Sequence, residues 1–174
     1  MRMLRLSLVG TVTLTLLGGW SAVVTAQEAP GGVYVTGTAE CIEPPGRTIQ
    51  DDGAVELHVF RNECTFTSSD PRLSGTGVYD IQQFCLKEET GHVCMGRGTG
   101  EVAGPDGTWV GTWSGLGEPA GGASFNVTTE GTGDYTGWTF MAVLREPFDG
   151  TPAAVHGLIF EGAPPPQDAF TPAG

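Results

Sequence analysis

The sequence is short of positive charge and of helical periodicity. Eight Lys and Arg stand against 20 Asp and Glu, for a formal net charge of −12. A surface this acidic repels phosphate backbones, which excludes nucleic acid as a partner. Outside the first 26 residues, apolar positions never keep an i, i+3, i+4, i+7 spacing over a helix length. The 28 glycines also work against long helices. No G-x-S-x-G elbow, H-E-x-x-H helix or Walker loop occurs, so the common serine-hydrolase, zinc-peptidase and nucleotide-binding chemistries lack their signatures. No C-x2-C pair occurs either. The four cysteines are too scattered for a zinc knuckle, even with His92 two residues before Cys94. The expectation is therefore no metal and no cofactor.

One long apolar run exists, and it lies at the start. Arg2 and Arg5 precede Leu6–Val24, which is broken only by Gly, Ser and Thr, and Val24-Thr25-Ala26 has the small residues that a signal peptidase reads. This predicts a secretory signal peptide over residues 1–26, cut before Gln27. A retained anchor is the rival reading, since the run approaches the ~20 residues that span a bilayer, but its glycines and the cleavage site favour removal. No other segment is apolar enough to cross a membrane, and no cysteine sits at the cut to carry a lipid. Cleavage leaves 148 residues (174 − 26), with six basic residues against 20 acids and a net charge of −14. That length suits one domain, placed at 27–161. Gly162–Gly174, with Pro164-Pro165-Pro166, has too little to bury and is predicted to be a disordered tail.

All four cysteines lie in the exported part, so an even count in an oxidising compartment predicts two disulfides. Three pairings are open. Cys85 and Cys94 enclose a loop with Glu88-Glu89-Thr90-Gly91 at its tip, where a hairpin would bring the sulfurs together. Cys41 and Cys64 would tie one early strand to the next. The expected pairs are 41–64 and 85–94.

The rest reads as short β-prone runs separated by Gly, Pro and Asp. Gly98–Leu116 is the clearest case, two β-prone arms around Pro105-Asp106-Gly107. Trp109 and Trp113 are four apart and share one strand face, expected to point inward. Further runs are Val33–Glu40, stopped by Pro44-Pro45-Gly46, then Ala54–Phe66, Leu73–Leu86, Ala123–Glu130, Trp138–Arg145 and Ala153–Phe160. Arg47–Gly53 reads as a loop. About eight strands at short spacing predict an all-β, eight-stranded antiparallel barrel, in which closure removes exposed edges.

Chemistry-bearing residues are sparse. If His58, Phe60 and His156 all pointed into the interior, they would form a polar cluster in an apolar pocket, where a histidine could move a proton near neutral pH. Strand acids Glu40, Glu56, Glu101 and Glu130 could pair with Arg61, Arg97 or Arg145; an interior pair would be costly unless functional. Asn126-Val127-Thr128 is a glycosylation sequon with effect only in a host that uses it. The candidates for lining a ligand site are Trp109, Trp113, Phe60, His58, His156 and Trp138.

Two resemblances follow. Gly107-Thr108-Trp109 and Gly111-Thr112-Trp113 are similar to the G-x-W of lipocalins and avidins, but those families carry it on the first strand, and here it comes late. Ser69–Gly75, Gly107-Thr108-Trp109 and Gly131–Trp138 together resemble secreted bacterial proteins of uncharacterised function. Within them, the glycine-rich turn Gly131–Gly137 ahead of Trp138 resembles that of the allene oxide cyclase and dirigent barrels. The resemblance spans roughly Val33 to Glu161 and implies an eight-stranded antiparallel barrel. It transfers no catalytic residues, because none of either family's site residues can be matched here.

The function expected from these readings is a secreted, non-enzymatic barrel binding a small apolar ligand. The alternatives are a cofactor-free cyclase or isomerase with an interior carboxylate or histidine, and a structural or partner-binding module.

Overall fold

The computed structural model describes residues 31–42 and 47–165. The expected signal peptide, the Pro44-Pro45-Gly46 break and most of the expected tail lie outside the described residues. The fold is all-β. Its strands are β1 (Val33–Ile42), β2 (Arg47–Asp51), β3 (Val55–Ser68), β4 (Gly75–Glu88), β5 (Gly91–Ala103), β6 (Gly107–Glu118), β7 (Gly122–Gly133), β8 (Trp138–Glu146) and β9 (Ala153–Glu161). A 3₁₀ turn, Pro71–Leu73, links β3 to β4. Among the described residues no helix is long and apolar enough to cross a membrane, a fact that says nothing about strands.

The nine strands form one sheet in the order β1-β9-β8-β7-β6-β5-β4-β3-β2. Because β1 also pairs with β3, eight of them close into a ring. The pairing is antiparallel throughout, so short turns suffice to connect neighbours. Following register partners once around, from Ser68 through Gly37, Val155, Leu144, Phe125, Gly115, Gly96 and Gln83, returns to β3 at His58. The circuit is thus displaced by ten residues (68 to 58). That stagger obliges the strands to tilt, and eight tilted strands enclose a space that side chains fill or that holds one small ligand.

Two sequence expectations need correction. Arg47–Asp51 is not loop but β2, pairing with the first half of β3 from Glu56 to Val59. A short polar strand carries no alternating apolar signal, and the long neighbouring β3 supplies its hydrogen bonds. Leu73 belongs to the 3₁₀ turn rather than to a strand, and β4 starts at Gly75.

On β3 the inward face is Phe60, Asn62, Cys64 and Phe66, with Asn62, Cys64 and Phe66 buried. The aliphatic alternation Val55, Leu57, Val59 therefore points outward. There Leu57 pairs across the sheet with Phe84, Phe84 with Met95, and Met95 with Leu116. Phe84, Met95 and Leu116 are exposed on this outer row.

One end of the ring is sealed. Leu73 of the 3₁₀ turn is buried there with Trp109, Tyr135, Phe140 and Ile159. Trp109 has no exposed surface, stacks on Tyr135 at 5.2 Å and meets Phe140 edge-on at 6.1 Å. Its indole N–H donates to the Arg72 carbonyl at 2.8 Å, and the Asp106 amide donates to the Tyr135 hydroxyl at 3.2 Å. Asp70 caps the 3₁₀ turn by accepting from the Arg72 amide, and its carboxylate also accepts from the Arg72 guanidinium at 2.7 Å. That guanidinium lies over the Trp138 ring, 4.8 Å from its centroid. The tight Gly133–Gly137 turn is possible because both glycines take positive φ, 64° and 88°.

The other end is stapled. Cys41–Cys64 joins β1 to β3, and Cys85–Cys94 joins β4 to β5, each between direct register partners. The expected pairing is the observed one. In the chain-entropy model, separations of 23 and 9 residues are worth about 3.4 and about 2.6 kcal/mol. Replacing Cys41 and Cys64 by serine should therefore lower unfolding free energy more than replacing Cys85 and Cys94, as read by urea denaturation of the two double variants.

Candidate functional site

Between the sealed end and the strand ends at Glu88, Glu118 and Glu146 lies a cavity of about 280 Å³. Its wall is mostly apolar: Phe60, Phe66, Tyr79, Ile81, Trp113 and Phe125 supply the rings and bulk. The space exists because glycines alternate with these rings. A Cβ on Gly96 would lie 2.9 Å from the Trp113 ring, and one on Gly98 would lie 2.8 Å from Trp113 Nε1. A Cβ on Gly100 would run into the Tyr79 ring. The inward glycines of β5 thus let two large side chains, one from each neighbouring strand, lie flat across it. Trp113 also meets Phe125 edge-on at 5.6 Å.

Polar groups in the wall are few. Asn62, Gln83, His92 and Glu146 line it with Tyr79. His92 and Glu146 stand at strand ends and line the cavity together with the exposed Phe148. Tyr79 is deep, and burial pushes its phenol well above the ordinary value, so it stays a neutral O–H. Cys41, Cys64 and Cys94 also belong to the lining, so both disulfides are part of the wall.

A charged network sits beside the opening. Glu56 Oε2 is 2.8 Å from His58 Nε2 and 3.8 Å from His92 Nε2, while Lys87 Nζ reaches Glu56 Oε1 at 2.9 Å and Asp51 at 2.8 Å. The network ties β2, β3, β4 and β5 together. Lys87 first, then His58, holds the Glu56 carboxyl below its usual range, and Lys87 does the same for Asp51.

Of the six residues expected to line a ligand site, the structure places Trp113 and Phe60 in the cavity wall. Trp109 is core at the sealed end, and Trp138 lies half-buried under Arg72. His58 shares the inward parity of Phe60 but is engaged at the opening by Glu56. The His58–Phe60–His156 cluster does not form. His156 is on the outer face, where its Nδ1 is 2.9 Å from the Tyr34 hydroxyl. The β9 parity explains this: Val155, Gly157 and Ile159 take the inward positions. Nor does an interior carboxylate–arginine pair form from the strand residues. Arg61 pairs with Asp80 outside, and Glu40, Glu101, Glu130, Arg97 and Arg145 are exposed. Asn126 is exposed as well.

The sequence reading missed Asn62, Tyr79, Gln83, His92 and Glu146. Counting by twos from the disulfide cysteines would have found four of them, because Cys64 shares a face with Asn62, Cys85 with Gln83 and Tyr79, and Cys94 with His92.

Comparison with known proteins returned no matching family model, no matching curated protein and no matching solved structure.

Acid should weaken the network beside the opening. A carboxylate held below its ordinary value contributes stability above the unfolded value of about 4, and that contribution is lost as pH falls through the lower folded value. The thermal midpoint of the native chain should fall more steeply below about pH 4 than that of Glu56→Gln. Salt should shrink the difference, because the network is near the surface. Parallel profiles for the two proteins would contradict this.

Proposed function

We propose that this is an exported protein whose closed sheet is a barrel of the allene oxide cyclase and dirigent type, and that the open half of its interior holds one small, largely apolar molecule without acting on it. The observation that carries the reading is the cavity itself. The interior is filled by side chains at one end only, and the remainder is a cavity of about 280 Å³ walled by aromatic rings. That is just below the roughly 300–1,000 Å³ typical of ligand pockets, so the guest would be small. Two disulfides, both in the cavity wall, are typical of extracytoplasmic proteins and support export. The ring of eight antiparallel strands and the positive-φ glycines ahead of Trp138 support the barrel type.

The cyclase or isomerase alternative asks for an acid or base facing a substrate. The ionisable wall groups other than the neutral Tyr79 phenol, His92 and Glu146, stand at the opening, away from the buried part of the cavity. Retention of a molecule fits this arrangement better than proton transfer within it.

The test is a titration with N-phenyl-1-naphthylamine, an uncharged probe that brightens in apolar surroundings. The native chain should give a saturable, one-to-one enhancement. Ala123→Phe, which puts a ring into the cavity wall, should weaken binding at least about tenfold, or about 1.4 kcal/mol. Absence of saturable binding, or equal binding to the filled variant, would sink the proposal. Native mass spectrometry of protein recovered from its own medium would report the natural occupant.

A further inference from the structure

Among the described residues, Phe148 is the one large apolar side chain that is both exposed, at 60%, and part of the cavity wall. Phe84, Met95 and Leu116 are also exposed, but on the outer face. Phe148 belongs to the loop 147–152 between β8 and β9. Its ring passes over β7 and ends against the inward side of β6. A Cβ added to Gly117 would lie 3.4 Å from Phe148 Cζ and 3.6 Å from the Cβ of Ala123, the β7 partner of Gly117. Gly117 is the last inward position of β6, which ends at Glu118. The ring therefore reaches in over the open end of the cavity.

Two rings thus rest on inward glycines of β6, and they are held differently. Phe125 covers Gly115, one inward step deeper, where an added Cβ would collide with it, and it meets Trp113 edge-on at 5.6 Å. Phe148 touches the space above Gly117 at an ordinary van der Waals distance and, among the described residues, has no ring contact. The loop that carries it is tied to itself. Asp149 accepts from the Thr151 amide at 3.0 Å and from the Thr151 hydroxyl at 2.7 Å. Among the described residues no hydrogen bond joins 147–152 to another element. A side chain so exposed and so lightly seated leaves its place and returns at small cost, on the nanosecond scale of exposed rotamers.

We infer that Phe148 is the gate of the cavity. Seated over Gly117 it obstructs the opening, and a guest passes while the ring is turned aside. Gly117 is the seat: without a side chain, it lets the ring lie low across the end of the wall. The same obstruction is met on the way in and on the way out, so it slows entry and exit by the same factor. The inference rests on the ligand-holding reading above and adds the residue that controls exchange.

Stopped-flow fluorescence with N-phenyl-1-naphthylamine reads both rates on the full chain. Phe148→Ala should raise the association and dissociation rate constants together, each at least about threefold, while their ratio moves much less. Because Phe148 is mostly exposed, its truncation is a mild change to the fold. Gly117→Val, which puts methyl groups where the ring is seated, should act in the same direction. Phe148→Trp, which keeps a ring at the rim, should hold both rates at or below the native values. Unchanged rates in Phe148→Ala would overturn the inference and leave the ligand reading standing. So would faster dissociation with unchanged association, the mark of a side chain that grips the guest rather than one that blocks its path. Absence of saturable binding by the native chain would remove both readings.

Discussion

The structure depends on how β1 is shared. Its first part pairs with β9 and its second part with β3, and that double engagement turns an open sheet into a ring. Because the circuit returns to β3 ten residues from where it began, the strands must run obliquely, and the enclosed space is too wide for small side chains to fill. β3 has to serve two neighbours on one flank, β1 along Glu63–Ser68 and β2 along Glu56–Val59. Its length, 14 residues, is what lets it do so.

That enclosed space is treated differently at its two ends. At the sealed end large rings pack on one another, and their polar atoms are paired with backbone from the connecting turns. Toward the opening, covalent bonds take over the role that packing plays below. The two cystines cross-link neighbouring strands in the part of the wall where the core is hollow. A hollow core forgoes dispersion contacts and apolar burial. The cystines offset part of that loss without occupying the space.

Much of this was legible in the sequence, and for local reasons. The Pro105-Asp106-Gly107 hairpin, the Cys85–Cys94 hairpin and the succession of strands are written in turn residues and alternation that act over a few positions. Cystine pairing followed from the same signals, because direct cross-strand neighbours are set by the strands on either side. What was not legible depends on partners distant in the chain. β2 is a strand only because β3 offers it hydrogen bonds. Val55, Leu57 and Val59 have the alternation of an inward face, yet they point outward, because Cys64 and its inward neighbours fix the parity from the other end of the strand. His156 could not be placed without knowing which side of β9 meets the core. Asn62 escaped notice because a polar residue in a strand ordinarily reads as solvent-facing, and its burial follows from parity rather than type.

The seal made by the 3₁₀ turn has a kinetic consequence. With Leu73, Trp109 and Tyr135 closing one end, the cavity opens, among the described residues, at the end that carries His92, Glu146 and Phe148. For a protein that holds a guest there, as proposed, entry and exit would share one route. Such an occupant would retreat past the same residues it entered by, and a second molecule could not push it through. If the interior holds a guest as proposed, a change at the rim alone would alter the rates of entry and exit together and leave affinity unchanged, whereas a change at the floor would alter both affinity and residence time.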